Sequence, residues 1–199
     1  MKENKLPTYH HELAKYFKTE KHHQFSTNFF THAENYEVWD EIDFSNLEEV
    51  DGENTFTIKA EDLTFYAEGC LDDNPYMTNE EFAKKSSYGG LVPHPLFTTT
   101  ICFWCVGTKG KGNWIRTPGA RNPGQYIEYY EDFKVGETIH IKLRPYDRYE
   151  KRGKYYLQYK INLYNQDNVL KASTISTLIL PRTRDDIRRF LEGIRGLQD

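Results

Sequence analysis

The sequence predicts an α+β fold in which an antiparallel sheet wraps one buried helix. Three consecutive runs in the second half alternate apolar and polar residues with a period of two, and they cover 137–150, 154–166 and 168–180. Lys151-Arg152-Gly153 and Gln166-Asp167-Asn168 separate these runs with turn-forming residues, which is typical of an antiparallel meander. Ahead of them, LVPHPLFTTTICFWCVG at 91–107 places an unbroken apolar run after two prolines. That composition indicates a helix buried on most faces.

The first half supplies shorter elements. Residues 8–19 fit a short helix that Thr8 caps, with an apolar stripe at i, i+3, i+4 formed by Leu13, Tyr16 and Phe17. A strand is expected from Glu53, after an Asp51-Gly52 turn, with Phe56 and Ile58 on its inner side. The next segment, LTFYAEGC at 63–70, fits a strand or a helical turn equally well.

Two more helices complete the prediction. The polar stretch 78–81 is a capped helix start with acidic residues in its first turn, and this helix is expected to end at Gly89-Gly90. The C-terminal stretch 185–197 is an amphipathic helix with acidic residues first, arginines later and one apolar face: Ile187, Phe190, Leu191, Ile194 and Leu197.

Composition limits the class of protein. A chain of 199 residues accommodates one well-buried core with appended ends. Its formal net charge of −4 argues against whole-surface binding to nucleic acid or to an anionic membrane. The first 17 residues contain no continuous apolar region, and no later run approaches the roughly 20 apolar residues of a membrane span, so the cytoplasm is the expected location.

Cysteine and histidine patterns give little indication of a metal site. The three cysteines, Cys70, Cys102 and Cys105, have apolar neighbours, which favours reduced core thiols over a disulfide framework or a redox Cys-x-x-Cys. The doublets His10-His11 and His22-His23 are interpreted as solvated surface, because adjacent helical residues point about 100° apart. No metal site is predicted.

Two stretches carry a resemblance to a known family. The segment FTIKAEDLTFYAEGCLDDNPYMTNEEFAKKSSYGGLVPHPLF at 56–97 and the later YYEDFKVGETIHIKL at 129–143 resemble the MaoC-like dehydratases, the (R)-specific enoyl-CoA hydratases of the hotdog superfamily. The resemblance covers roughly 36–182, and it implies a hotdog fold, in which an antiparallel sheet wraps a long central helix and two modules pair. It makes 1–35 an N-terminal extension and leaves 183–199 as the terminal helix.

The family motif is Asp-x-Asn-Pro-x-His, followed by Gly-Gly-x-x-x-His-Gly at the start of the central helix. The resemblance places Asp72 on the catalytic acid position and Asn74-Pro75 on the Asn-Pro pair. Met77 occupies the histidine position, and a thioether exchanges no proton. Pro95 stands where the family has the glycine whose amide faces the thioester carbonyl, and proline has no N–H to donate.

These departures resemble the asymmetric MaoC-like proteins, in which one module carries the catalytic pair and a second forms the acyl pocket. The resemblance therefore predicts the pocket-forming subunit of an enoyl-CoA hydratase or 3-hydroxyacyl-CoA dehydratase. Its substrate pocket is expected to be lined by Asn74, Pro75, Met77 and Pro95. A second MaoC-like subunit is the expected partner, and no cofactor is expected besides the coenzyme A thioester substrate. One alternative is a self-sufficient homodimer in which Asp72 acts as base with His94 as proton relay. Another is an acyl-CoA-binding module without turnover, while a thioesterase fits the Asp-x-Asn-Pro element less well. The structural interpretation of the same residues is that Asp72, Asp73 and Asn74 cap turns, and that His94 is a packed spacer.

A basic stretch is the candidate site for coenzyme A. The segment 107–125 has five glycines, no acidic residue and four cations, namely Lys109, Lys111, Arg116 and Arg121. Cations beside exposed backbone amides suit the phosphates of coenzyme A or of a carrier-protein arm, and a solvated loop is the alternative. Trp114 in this stretch either stacks on adenine or anchors the loop.

Overall fold

The computed structural model describes residues 14–24, 36–107, 112, 114 and 117–195. Its centre is a sheet of six antiparallel strands in the order β1-β4-β5-β6-β3, with β2 also paired to β4. The strands are β1 (Val50–Asp51), β2 (Phe56–Thr57), β3 (Arg121–Tyr129), β4 (Thr138–Lys151), β5 (Lys154–Tyr164) and β6 (Leu170–Leu180). The predicted meander is confirmed as β4, β5 and β6.

Turn chemistry sets the register of the meander. Arg152 and Gly153 form the two-residue loop between β4 and β5 with φ of 53° and 66°, the conformation that matches the twist of the flanking strands. At the next turn, the Asn165 side-chain oxygen accepts hydrogen bonds from the amides of Asp167 and Val169, at 3.0 and 2.9 Å. Asn168 adopts a positive φ of 60°, which asparagine tolerates better than most residues.

The central helix, α4 (Phe97–Val106), lies against the inner face of this sheet. Ile101, Cys102 and Cys105 are buried in the same core as Ile141 and Leu163 of the sheet. The helix has ten residues. It does not extend further towards the N-terminus because Pro93 and Pro95 keep the preceding chain out of helical geometry. The predicted buried helix is therefore confirmed, and it begins only at Phe97.

The segment before α4 differs from the prediction. The strand expected from Glu53 is reduced to the two residues of β2, although Phe56 and Ile58 are buried as predicted. The undecided stretch 63–70 lies in a helix, α1 (Ala60–Gly69). Two short helices follow, α2 (Pro75–Thr78) and α3 (Glu80–Lys84). Because Asn79 caps α3, the predicted helix start is confirmed, but its expected end at Gly89-Gly90 is wrong.

Two further elements complete the chain. Strand β3 begins at Arg121 and pairs with β6, so residues 121–125, which were interpreted as part of a loop, belong to the sheet. Helix α5 (Arg184–Arg195) confirms the C-terminal helix. Of the predicted apolar face, Ile187 is buried and Phe190 and Leu191 are exposed, while the side chains of Ile194 and Leu197 lie outside the described part of the chain. Of the predicted helix at 8–19, residues 8–13 lie outside the described residues, while 14–16 form one turn of 3₁₀ helix and 17–19 are not helical, so the prediction is wrong for 17–19.

A buried ion pair holds the strand ends together beside β2. Lys171 Nζ lies 3.0 Å from Glu137 Oε1, and the Lys171 side chain is 3% exposed. Glu137 also accepts hydrogen bonds from Asn165 Nδ2 at 3.2 Å and from the Lys134 amide at 2.8 Å. The backbone of Glu137 in turn accepts the Ile58 amide at 2.9 Å. The pair thereby anchors the chain immediately after β2.

Candidate functional site

The Asp-x-Asn-Pro motif lies in the turn that follows α1. The Leu71 amide donates to the Glu68 carbonyl at 3.0 Å and the Asp72 amide to the Ala67 carbonyl at 2.9 Å. With Leu71 at a φ of 57°, these bonds form a Schellman motif, in which the left-handed residue is usually glycine. The Schellman motif ends α1 and turns the chain at Asp72 towards the start of the next helix.

The polar side chains of the motif act as turn and cap residues. Asp72 Oδ1 accepts the Asn74 amide at 3.0 Å, and Asn74 Oδ1 accepts the Tyr76 amide at 3.1 Å. Pro75 occupies the first position of α2, where a missing N–H costs nothing. Met77, half-buried, follows in the same helix. The structure thus shows the capping role predicted as the structural alternative for Asp72 and Asn74.

His94 and Pro95 precede α4. His94 Nδ1 accepts the Leu96 amide at 3.1 Å, so the neutral ring carries its proton on Nε2. The ring lies 5.4 Å from that of Tyr66 in α1, centroid to centroid. Pro95 is exposed, and its carbonyl accepts the Tyr129 hydroxyl. The first amide after Pro95 is therefore donated to His94 rather than presented to a ligand.

An apolar cavity of about 670 Å³ lies beside these residues, between α1, β2 and α4. Its aromatic wall consists of Phe56, Phe65, Tyr66, Phe97, Phe103 and Trp104. The rings pack edge to face, with 5.7 Å between the centroids of Phe56 and Phe97 and 5.3 Å between those of Tyr66 and Phe97. The predicted pocket residues Asn74, Pro75, Met77 and Pro95 are not among the residues that line it.

Comparisons with known proteins bear on the fold. No family model matches the chain. A curated relative, the 3-hydroxybutyryl-CoA dehydratase of Methylorubrum extorquens, is 27% identical over 86 residues, which are 43% of this chain and 52% of the relative. The chain thus spans about half the length of the curated relative it matches.

Solved structures match over more of the chain. The MaoC-like dehydratase from Rhodospirillum rubrum superposes with a TM-score of 0.56 at 17% identity, covering 69% of this chain and 92% of that one. The chain has the hotdog fold of the MaoC-like dehydratases. The HadBC (3R-hydroxyacyl-ACP dehydratase) complex from Mycobacterium tuberculosis gives a TM-score of 0.56 at 17% identity, with 67% of this chain and 97% of that chain covered. At this identity the likeness concerns the fold, and it confirms the predicted hotdog architecture.

The cysteines of the hotdog module divide into two kinds. Cys102 and Cys105 are buried in α4, where burial raises the pKa of the Cys102 thiol to about 12 and that of the Cys105 thiol well above its usual value. Thiols that stay protonated are poor nucleophiles and ligands, so core packing is confirmed for this pair. The prediction for Cys70 is wrong, because it is exposed at the end of α1 and lines the cavity.

The N-terminal histidines agree with their prediction only in part, since His23 is exposed as predicted but His22 is not. His10-His11 lie outside the described residues. His22 is partly buried against the cavity, 6.1 Å from the Phe65 ring, and is therefore not a solvated surface residue. Burial lowers its pKa, although the nearby Asp62 carboxylate opposes that shift. No sequence pattern indicates this burial, since the contact depends on a fold-back of the chain onto α1.

The candidate coenzyme A residues are only partly described. Lys109, Lys111 and Arg116 lie outside the described residues. Arg121 is exposed at the first position of β3. Trp114 is 3% exposed, and its ring lies 5.3 Å from that of Phe103. Trp114 therefore anchors its loop to α4 and is not available to stack on adenine. No helix in the described ranges is long and apolar enough to cross a membrane.

Proposed function

We propose that this chain is the pocket-forming, catalytically incomplete subunit of an enoyl-CoA hydratase or 3-hydroxyacyl-CoA dehydratase. The observation that carries the proposal is the pairing of a large apolar cavity with a motif that lacks its histidine and whose Asp72 accepts a hydrogen bond within the turn. Met77 stands at the histidine position, while Asp72 and Asn74 are engaged in the turn. The cavity suits the acyl group of a thioester.

The reaction defines what is missing. Adding water across the double bond of an enoyl thioester requires a base that takes a proton from water, and an acid that delivers a proton to the α-carbon. A donor must also stabilise the negative charge that develops on the thioester oxygen. Here the Leu96 amide is donated to His94, and Pro95 has none. The proposed partner supplies the acid–base pair, and this chain supplies the acyl pocket.

The surface of the module supports pairing. Strand β3 ends the described sheet, so one of its edges carries backbone groups without a strand partner in the described chain. Tyr126 on β3 and Tyr130, which directly follows the strand, are 62% and 50% exposed. Leu96 is 49% exposed, and its neighbour Pro95 bonds to Tyr129 of the same strand. An exposed edge flanked by apolar side chains fits a second hotdog subunit. The HadBC dehydratase is itself described as a complex.

The coenzyme A moiety is proposed to bind at the basic stretch. Arg121 on the exposed end of β3, with Lys109, Lys111 and Arg116, provides cations for its phosphates. An Arg116→Ala/Arg121→Ala variant is expected to weaken acyl-CoA binding by a few kcal/mol at most. Free acyl chains are expected to bind that variant as they bind the native chain. Calorimetric titration with both ligands tests this, and unchanged acyl-CoA affinity contradicts the assignment.

The decisive experiment is a reconstitution. Hydration of an enoyl-CoA is followed by the loss of absorbance of its conjugated thioester, with this chain alone and mixed with any MaoC-like protein that is encoded beside it. Turnover is expected only in the mixture, and Asp72→Asn in this chain should leave that turnover within about twofold of native.

Two results would redirect the assignment. If the chain alone hydrates the substrate and Asp72→Asn abolishes turnover, the enzyme is self-sufficient and uses Asp72 with His94. If acyl-CoA binds but neither preparation turns it over, the chain is an acyl-CoA-binding module.

A further inference from the structure

We infer that the segment 14–24 forms one wall of the acyl cavity and selects long or ring-bearing acyl groups. The identity of the ligand as an acyl thioester rests on the proposed function. The segment precedes the first strand of the hotdog module, yet Phe17, Lys21 and His22 line the cavity together with α1, β2 and α4. Its position therefore decides how much apolar volume remains for a ligand.

Lys21 holds this wall in place. Its ammonium forms an ion pair with Asp62 and donates to the Thr57 carbonyl at 2.5 Å. It also lies 4.1 Å from the centroid of the Phe56 ring. The side chains of Lys21 and Asp62 are only 18% and 7% exposed. Water screens such a pair poorly, so losing either partner leaves a charge in a dry site.

Asp62 is fixed independently of Lys21. Its Oδ2 atom accepts the Lys59 amide at 2.8 Å, which caps the first turn of α1. Two further contacts join the segment to the same helix, since Lys18 lies 5.2 Å from the Phe65 ring centroid and His22 lies 6.1 Å from it. The wall is thus attached to α1 at two points, through Asp62 and through Phe65.

The lining indicates the chemical class of ligand. Aromatic rings dominate the wall, and the charges of Lys21 and Asp62 are satisfied by each other and by backbone groups. A cavity of about 670 Å³ falls among those that hold whole drug-sized molecules. A crotonyl group fills a minor part of this volume, whereas a dodecenoyl group or a fused-ring acyl group fills a larger part of it. Each additional buried methylene is expected to raise affinity about fourfold until the cavity is full.

The test measures binding rather than turnover. Crotonyl-CoA and dodecenoyl-CoA are titrated into the native chain, Lys21→Met and Asp62→Asn, with Lys84→Met as matched control. Lys84 forms a comparable ion pair with Glu80, but there both side chains are at least half exposed, at 61% and 50%. Native protein and Lys84→Met should bind dodecenoyl-CoA at least tenfold more tightly than crotonyl-CoA. Lys21→Met and Asp62→Asn should lose most of that ratio through weaker dodecenoyl-CoA binding.

A second measurement needs only the native chain. Amides in 19–24 should exchange hydrogen more slowly with dodecenoyl-CoA bound than with crotonyl-CoA bound. The inference is overturned by an unchanged affinity ratio in both variants, by equal protection with the two ligands, or by a native chain that binds neither ligand. If the ratio depends on Lys21 but no mixture hydrates the substrate, the proposed function fails and the selective wall stands. If a mixture hydrates the substrate but the affinity ratio does not depend on Lys21, the selective wall is excluded and the proposed function stands.

Discussion

Replacing Lys171 by methionine is expected to destabilise the protein by about 3 kcal/mol, because it leaves a carboxylate without its cation in a dry site. The Lys171 and Glu137 side chains are 3% and 13% exposed. After the substitution, Glu137 keeps two neutral donors, Asn165 Nδ2 at 3.2 Å and the Lys134 amide at 2.8 Å. Those bonds do not replace the lost charge. For a chain of this size, the loss corresponds to a fall in Tm of about 9 °C.

The pH dependence of stability gives a second readout. Burial raises the pKa of Glu137, but its hydrogen bonds, led by that from Lys171, outweigh this effect and lower the pKa below its usual 4.5. A carboxyl whose folded pKa is lowered stabilises the fold above its unfolded pKa, and that stabilisation is lost as pH falls through the folded pKa. Lys171→Met should therefore flatten the loss of stability in the acid range.

Urea unfolding, followed by circular dichroism at neutral and acid pH, measures both effects. Lys84→Met, which breaks the exposed pair with Glu80, is the control and should cost no more than about 0.5 kcal/mol. Lys171→Met/Glu137→Gln removes both charges and should recover at least about half of the loss. The reasoning is refuted if Lys171→Met lies within about 1 kcal/mol of native, or if the double variant is no more stable than the single one.

Three further predictions concern the site. Leu71→Gly should stabilise the chain by about 1 kcal/mol in urea unfolding, because glycine adopts the φ of 57° without strain. Little packing is lost, since the Leu71 side chain is 93% exposed. Equal stability of Leu71→Gly and Leu71→Ala would contradict this. Met77→His/Pro95→Gly should hydrate crotonyl-CoA without a partner, at least about a hundredfold faster than Met77→Gln/Pro95→Gly, and equal rates of the two variants would exclude the motif as a latent active site. Burial lowers the pKa of His22, and the facing charges are Asp62, Glu61, His23 and Lys18. The docked segment therefore binds fewer protons than the undocked one, and its docking should weaken as pH falls below 6.5. Hydrogen exchange of 19–24 at neutral and mildly acid pH checks this, and His22→Gln should abolish the dependence.

The meander was predictable because local signals and tertiary structure agree there. Alternation places Ile139, Ile141 and Leu143 on the core face of β4, and Arg152-Gly153 closes the following hairpin. The start of β3 was not predictable, since Asn122-Pro123-Gly124 is turn-like in composition and lies at the edge of the sheet. Pairing with β6 overrides that composition.

The site was predictable only where the motif is local. The caps made by Asp72 and Asn74 span two residues each and follow from turn chemistry. The wall of the cavity depends on contacts such as Lys21 with Asp62, separated by 41 residues. No periodic pattern encodes such a contact, which exists only because α1 and β2 bring both partners to the same face of α4.

The order of elements along the chain has a consequence for biosynthesis. Helix α4, apolar on nearly all sides, leaves the ribosome before β4, β5 and β6, which supply most of the surface that covers it. Until the last of these strands has been made, the nascent polypeptide displays Ile101, Cys102 and Val106 without their native cover. Because the pairings of β1 and β2 with β4 join positions more than 80 residues apart, they form late. A chaperone that shields the emerging helix should therefore raise the yield of native protein more than one supplied after release.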